Sequence, residues 1–286
     1  MEDCLRTAEG PVAGGKVGDR PILRAFFLIA VVSLILLSLP TGTCHATSGQ
    51  SKADGSADLS VAIDIGHSKL NSGAVSARGV PEYEFNQEVG RLLYTEMLHK
   101  GYTKSFTISG HNEDVALVAR ADIANRREAD LLLSIHHDSV QPRYLRKWTF
   151  NGKKYFYSDK YKGFSIFYSN KNGMPQKSLL FAGILGTEML KEGFSPSLHH
   201  AEKIEGENRK LVDKNRGIYE YDDLIILKNA KMAAVLLECG IIVNRNEEEQ
   251  LCDPTNRRKI VLAILRSLDN YCKFIQKAAS SLQKTP

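Results

Sequence analysis

The sequence predicts an α/β fold: a mixed, mostly parallel central sheet with helices on both faces, forming a single domain. Three short, largely apolar runs, residues 61–66, 131–135 and 233–237, have the length and aliphatic content of buried strands. Stretches with apolar residues at helical spacing separate and follow them, and strands alternating with amphipathic helices define a layered α/β sandwich. With 286 residues and 43% hydrophobic content, the chain can build one large core plus appendages and is too apolar for a disordered polymer.

Taken in order, residues 1–46 read as a signal peptide or signal anchor. The run 25–39 is almost wholly apolar, Arg20 and Arg24 precede it, and small residues ending at Ala46 follow. At 15 residues the run is short for a membrane-spanning helix, which needs ~20. Residues 47–58, rich in Ser, Gly, Ala and Asp, read as a flexible linker. A single folded domain is expected over 57–278, with a tail at 279–286. Its first strand is 59–65. A helix follows with Phe85, Val89, Leu92, Leu93 and Met97 on one face, ending at Lys100-Gly101. Residues 103–109 alternate as a short strand, and 115–128 carry a helical stripe of Leu117, Ala121 and Ala124 leading into the second buried strand.

Residues 165–168, 224–227 and 233–237 read as further strands, and 176–192 and 257–276 as amphipathic helices. Two insertions interrupt the alternation. One, 143–160, carries Asn151-Gly152 between aromatic-bearing arms, a strong hairpin signal, and holds the single Trp of the chain, Trp148, among cationic neighbours. Such a surface suits sugar stacking or an edge hairpin equally. The other, 198–216, is dense in both charges, contains His199 and His200, and reads as a solvated loop or helix. A sharper expectation is that it folds over the functional cleft. Beyond the leader, Cys239, Cys252 and Cys272 are odd in number without CxxC spacing, which gives no disulfide framework and no thiolate metal site. The formal charge of +5 would draw an exported protein toward an anionic envelope.

Four dispersed residues carry the chemistry. His67 and His136 each follow a buried strand, where open α/β sheets place their sites; Glu82 lies before a helix, and Glu238 closes the third apolar run. Two imidazoles and one carboxylate leave a tetrahedral zinc ion one open position, and a further carboxylate can act as base. A single histidine after a strand is usually just hydrogen-bonded; four such settings in one chain are not coincidence. Arg78, Arg216 and Trp148 are weaker candidates for substrate contact, with an ordinary surface role equally open to the arginines.

Ile63-Asp-Ile-Gly-His67, Gly79-Val-Pro-Glu82, Ala129-Asp-Leu-Leu-Leu-Ser-Ile-His136 and Val235-Leu-Leu-Glu-Cys-Gly240, with Asn215-Arg-Gly217 and Asn244, resemble the zinc-dependent N-acetylmuramoyl-L-alanine amidases of the bacterial cell wall, over residues 59–268. The resemblance implies a phosphorylase/hydrolase-like α/β domain, one zinc ion held by His67, Glu82 and His136, and Glu238 as catalytic carboxylate. Glu84 and Glu88 compete for the second ligand role, but Glu82 stands three residues after Gly79 as the family pattern requires. The implied partners are peptidoglycan and an activator protein, with no nucleic acid, and with membrane contact only through an uncleaved N-terminal anchor. The implied location is export to the periplasm or cell envelope. Departures fall beside the ligands: Ser68-Lys69 follow His67, and His137-Asp138 follow His136. His137 should point to the other side of its strand and be structural. The alternatives are a zinc carboxypeptidase or other amidohydrolase acting on wall peptides, or a catalytically silent wall-binding or activator module.

Overall fold

The computed structural model describes residues 59–108 and 114–282. The leader and linker, 1–58, and the last residues of the tail lie outside them. Seven strands form the central sheet: β1 Val61–Ile65, β2 Phe106–Thr107, β3 Leu131–Asp138, β6 Ser165–Tyr168, β7 Lys210–Asp213, β8 Ile218–Glu220 and β9 Ala233–Ile241, in the order β2-β1-β3-β9-β6-β8-β7. β2, β1, β3 and β9 run parallel, β6 pairs antiparallel with β9 and parallel with β8, and β7 closes the edge antiparallel. The sheet is therefore mixed and mostly parallel, as the sequence predicts.

Period-two alternation assigns the two faces. Val61, Ile63 and Ile65, Leu131, Leu133 and Ile135, and Ala233, Val235 and Leu237 join one core, under helices α1 Glu82–His99, α3 Pro175–Lys191 and α6 Pro254–Leu282. Ala62, Leu132, Ala234 and Leu236 join the other, under α2 Leu117–Arg126 and the short α4 Ile225–Asn229. Both faces of the central strands are dry, which is why their sequences read as continuous apolar runs. Among the described residues no helix is long and apolar enough to cross a membrane.

Three expectations are corrected. Residues 224–227, read as a strand, lie at the start of α4, with Ile226 and Leu227 buried in the second core. Four apolar residues have no periodicity to separate strand from helix, and the Asn229 side chain, donating from Nδ2 to the Ile225 carbonyl, braces the turn. The strand read at 103–109 pairs only at Phe106–Thr107, and the rest of what is described is turn. The segment 198–216 is only partly solvated: Lys203, Glu205, Lys210 and Lys214 are exposed, but His199 and Glu207 are buried, Tyr219 donates to the Ser197 carbonyl, and β7 adds to the sheet. The insertion 143–160 forms the hairpin β4 Arg146–Phe150 and β5 Lys153–Tyr157, turning at Asn151 and Gly152, both at positive φ.

After β9, Asn244 caps α5 Arg245–Cys252 by accepting from the amides of Asn246 and Glu247. Glu247 in turn accepts from Gly163 and Ile241, tying the approach to β6 to the end of β9. Burial pushes its carboxyl up to about 7, against the pull of those backbone donors. A folded-state pKa above the unfolded value of ~4.3 means the native state holds the extra proton between them, so this contribution is present at low pH and lost as pH rises through about 7. Chemical unfolding from pH 4 to 8 should therefore show the wild type losing stability relative to Glu247→Gln as pH rises; a constant difference would mean that Glu247 does not titrate there.

Candidate active site

β1 and β3 end side by side, and the loop after β1 leads back to the N-terminus of α1. His67 follows β1 with φ 65°, a left-handed conformation unusual for a residue other than Gly, Asn or Asp. Arg120 of α2 holds that bend, donating to the carbonyls of Ile65 and His67 while its charge pairs with the buried Asp64. Glu82 opens α1 and faces both imidazoles. Its Oε2 lies 3.0 Å from His67 Nε2 and its Oε1 lies 3.0 Å from His136 Nδ1. The Ala74 and His137 amides and the Asn86 side chain also donate to this carboxylate. Burial raises the Glu82 carboxyl, but the hydrogen bonds from His136 and His67 outweigh it and hold the group well below the ordinary carboxylate range. Burial opposes charge on His67, yet the Glu82 contact wins and raises it.

Two glycines make this convergence sterically possible. A Cβ at Gly66 would stand 2.4 Å from His136 Nε2, and one at Gly73, φ 77°, would stand 2.5 Å from Glu82 Oε2 and 2.7 Å from the His67 ring. Gly66→Ala should therefore push the His136 ring aside and cut both metal affinity and turnover by ~100-fold, as ångström misplacements do. Unchanged metal titration would show that the ring can yield.

Glu238 is the β9 register partner of His136. Its Oε2 is buried without a hydrogen-bond partner. Burial, then the nearby Asp138 and Glu82 carboxylates, raise it well above the usual range. A buried carboxyl of this kind on the strand next to His136 is equipped to accept and return a proton. His137 points to the opposite face, buried, with Nδ1 2.8 Å from Asn86 Oδ1, and burial lowers it to about 3. Glu84 and Glu88 do not join the set, and Glu88 pairs with Arg257 of α6.

The weaker candidates are placed elsewhere. Arg78 is engaged by Glu248, Glu249 and the Arg245 carbonyl, and Arg216 pairs with Asp213 while lining a separate groove along α3. Both therefore bear structural ion pairs. Trp148 donates to the Ala77 carbonyl and lies between the Arg78 and Arg245 guanidiniums, 5.5 and 5.2 Å from its ring, so it seats the hairpin on the loop ahead of α1. The sequence reading did not single out Asn86, Gly73 or Arg120; Gly73 and the residue pair Glu82/Asn86, one helical turn apart, were the available signals.

A mixed α/β sheet that gathers two imidazoles, a shared carboxylate and a buried carboxylic acid at one end defines a hydrolytic enzyme with a candidate metal centre. The family model described as N-acetylmuramoyl-L-alanine amidase matches residues 61–270, and the chain belongs to that family. It is 25% identical over 257 residues to the N-acetylmuramoyl-L-alanine amidase AmiA of Escherichia coli, covering 85% of this chain and 86% of the relative. Its fold is shared with the N-acetylmuramyl-L-alanine amidase Ami1 of Mycobacterium smegmatis (TM-score 0.61, 19% identity, 77% of this chain and 99% of that one). It is shared too with the CwlD amidase of Clostridioides difficile, solved in complex with the GerS lipoprotein (TM-score 0.56, 21% identity, 76% and 100%). The protein is a peptidoglycan hydrolase that cuts the amide between N-acetylmuramic acid and L-alanine.

Proposed function

We propose that this amide hydrolysis uses one zinc ion held by His67, Glu82 and His136, with Glu238 as the proton-transferring residue. The donor set fits: one atom from each of the three side chains lies within 4.8 Å of the others, and two imidazole nitrogens with a carboxylate oxygen suit zinc. When bound there, the ion supplies Lewis-acid polarisation of the scissile carbonyl and makes water acidic enough to react near neutral pH. Asn86 and the Ala74 and His137 amides hold Glu82 in place, so the two imidazoles meet a fixed carboxylate. Glu238 takes a proton from the attacking water as its oxygen bonds to the carbonyl carbon, and returns it to the amine nitrogen as the C–N bond breaks.

The observation that carries this reading is the unpartnered, buried Glu238 Oε2 directly across the strand pair from His136. A partnered structural glutamate would have no such free oxygen. Export to the cell envelope belongs to the same proposal, since the substrate is there and the leader 1–46 has a signal sequence's composition. A protein partner does too, supported by the lipoprotein complex of the CwlD neighbour.

Purified peptidoglycan should release intact stem peptides beginning at L-alanine, and a zinc chelator should abolish release, with mass spectrometry of products as the readout. Shortened stems would instead identify a carboxypeptidase, and chelator-resistant release would remove zinc from the mechanism.

A further inference from the structure

Next to this set lies a second convergence that the amidase reading does not use. Asp138 ends β3, two residues past His136 and beyond a register shift, and its Oδ2 faces two adjacent imidazoles from the inserted segment. His200 Nε2 is 2.8 Å from that oxygen and His199 Nε2 is 3.3 Å from it. The two rings lie 3.8 Å apart at a 38° angle, with Phe167 and Tyr219 edge-on to His200. Each ring is oriented through its other nitrogen: His199 Nδ1 meets Ser197 Oγ at 2.8 Å, and His200 Nδ1 meets Glu207 Oε2 at 2.8 Å. Glu207 is itself fixed by Gln141, and the second oxygen of Asp138 accepts from the Ser139 amide.

We propose that Asp138, His199 and His200 form a second divalent-cation site, distinct from the His67/Glu82/His136 set, for a first-row ion that takes imidazole nitrogen and carboxylate oxygen. In the metal-free protein an imidazolium at His200 can donate to both Glu207 and Asp138, so a cation binds here by displacing the Nε2 proton and leaving the ring donating to Glu207 alone. Two features support a cation site. His199 Nε2 is buried and points into the same space, 3.3 Å from Asp138 Oδ2 but without hydrogen-bond geometry to it. Carboxylate or hydroxyl support behind each imidazole is the arrangement by which proteins orient metal-binding histidines.

The charge balance agrees. Asp138 and Glu207 flank the pair, and a cavity of about 230 Å³, lined also by Arg209, joins His200 and Glu207 to Glu238. A bound cation would offset that charge and lie on the Asp138 side of Glu238. The site depends on the insertion 198–216 and on Asp138, a departure from the family pattern already visible in the sequence.

The test is metal stoichiometry and does not depend on catalysis. The full chain, stripped with chelator and titrated with zinc chloride, should bind about two ions by elemental analysis and calorimetry. His199→Gln and His200→Gln should each leave about one, and His136→Ala should also leave about one, by loss of the other site. Glu207→Gln should weaken only the second equivalent, by ~10–100-fold, and serves as the milder variant if the histidine changes perturb folding. One ion in the wild type that His136→Ala removes would overturn the second site while sparing the first. One ion removed by His200→Gln would do the reverse. No bound zinc would overturn both.

Discussion

Glu238→Gln should lower hydrolysis of peptidoglycan by about 10³-fold, within the range that general acid–base catalysis contributes, while zinc still binds at the His67, Glu82 and His136 set. The amide keeps the size and one oxygen of the acid but can neither accept nor return the proton. It should fold normally, because the Oε2 of Glu238 makes no hydrogen bond that the change could break. Stability should even improve. Burial raises the Glu238 carboxyl above its unfolded value, so the native state favours the protonated form, and that preference contributes below ~4.3 and is lost as pH rises. In metal-free protein the Tm advantage of Glu238→Gln over wild type should accordingly grow from pH 4 to neutrality. Residual turnover within a few-fold of wild type would remove Glu238 from proton transfer, and an equal loss of turnover and zinc would make it a metal-supporting residue instead.

What the sequence revealed, and what it hid, divides along a physical line. The placement of His67, His136 and Glu238 at neighbouring strand ends was legible because each stands at the exit of an apolar run or closes one, and a parallel sheet brings such ends together whatever the loops do. His137 was legible for the same reason, since period two sends it to the face opposite His136. Gly66 and Gly73 were not, because what they exclude is a Cβ beside a side chain distant in sequence, and no local pattern encodes that. The segment 198–216 misled for a related reason. Its charges look solvated in one dimension, yet His199, His200 and Glu207 find partners in Asp138 and Gln141 and become interior. Arg78 and Arg216, for which an ordinary surface role was equally open, are engaged by nearby carboxylates, a pairing distant in sequence for Arg78 and local for Arg216.

Glu82→Ala should be the most damaging change to the metal centre. Loss of an outer partner of a metal ligand costs ~10–100-fold in affinity, so loss of the carboxylate that meets both imidazoles should cost more than ~100-fold, with stem-peptide release falling to background. Stability should also drop by about 1–3 kcal/mol at neutral pH, because the Ala74 and His137 amides and the Asn86 side chain lose their acceptor in a buried place. The pH sign separates this from a general packing defect. The Glu82 carboxyl is held below its unfolded value, so its contribution is present above ~4.3 and lost as pH falls toward its depressed folded value. The stability gap between wild type and Glu82→Ala should therefore narrow on acidification below ~4.3. Glu84→Ala and Glu88→Ala provide the comparison: both acids lie on the same helix, and Glu88 is engaged by Arg257 of α6, so neither should change zinc affinity. Zinc retained by Glu82→Ala and lost by Glu84→Ala would transfer the ligand role along α1 and break the link between His67 and His136 on which the catalytic reading depends.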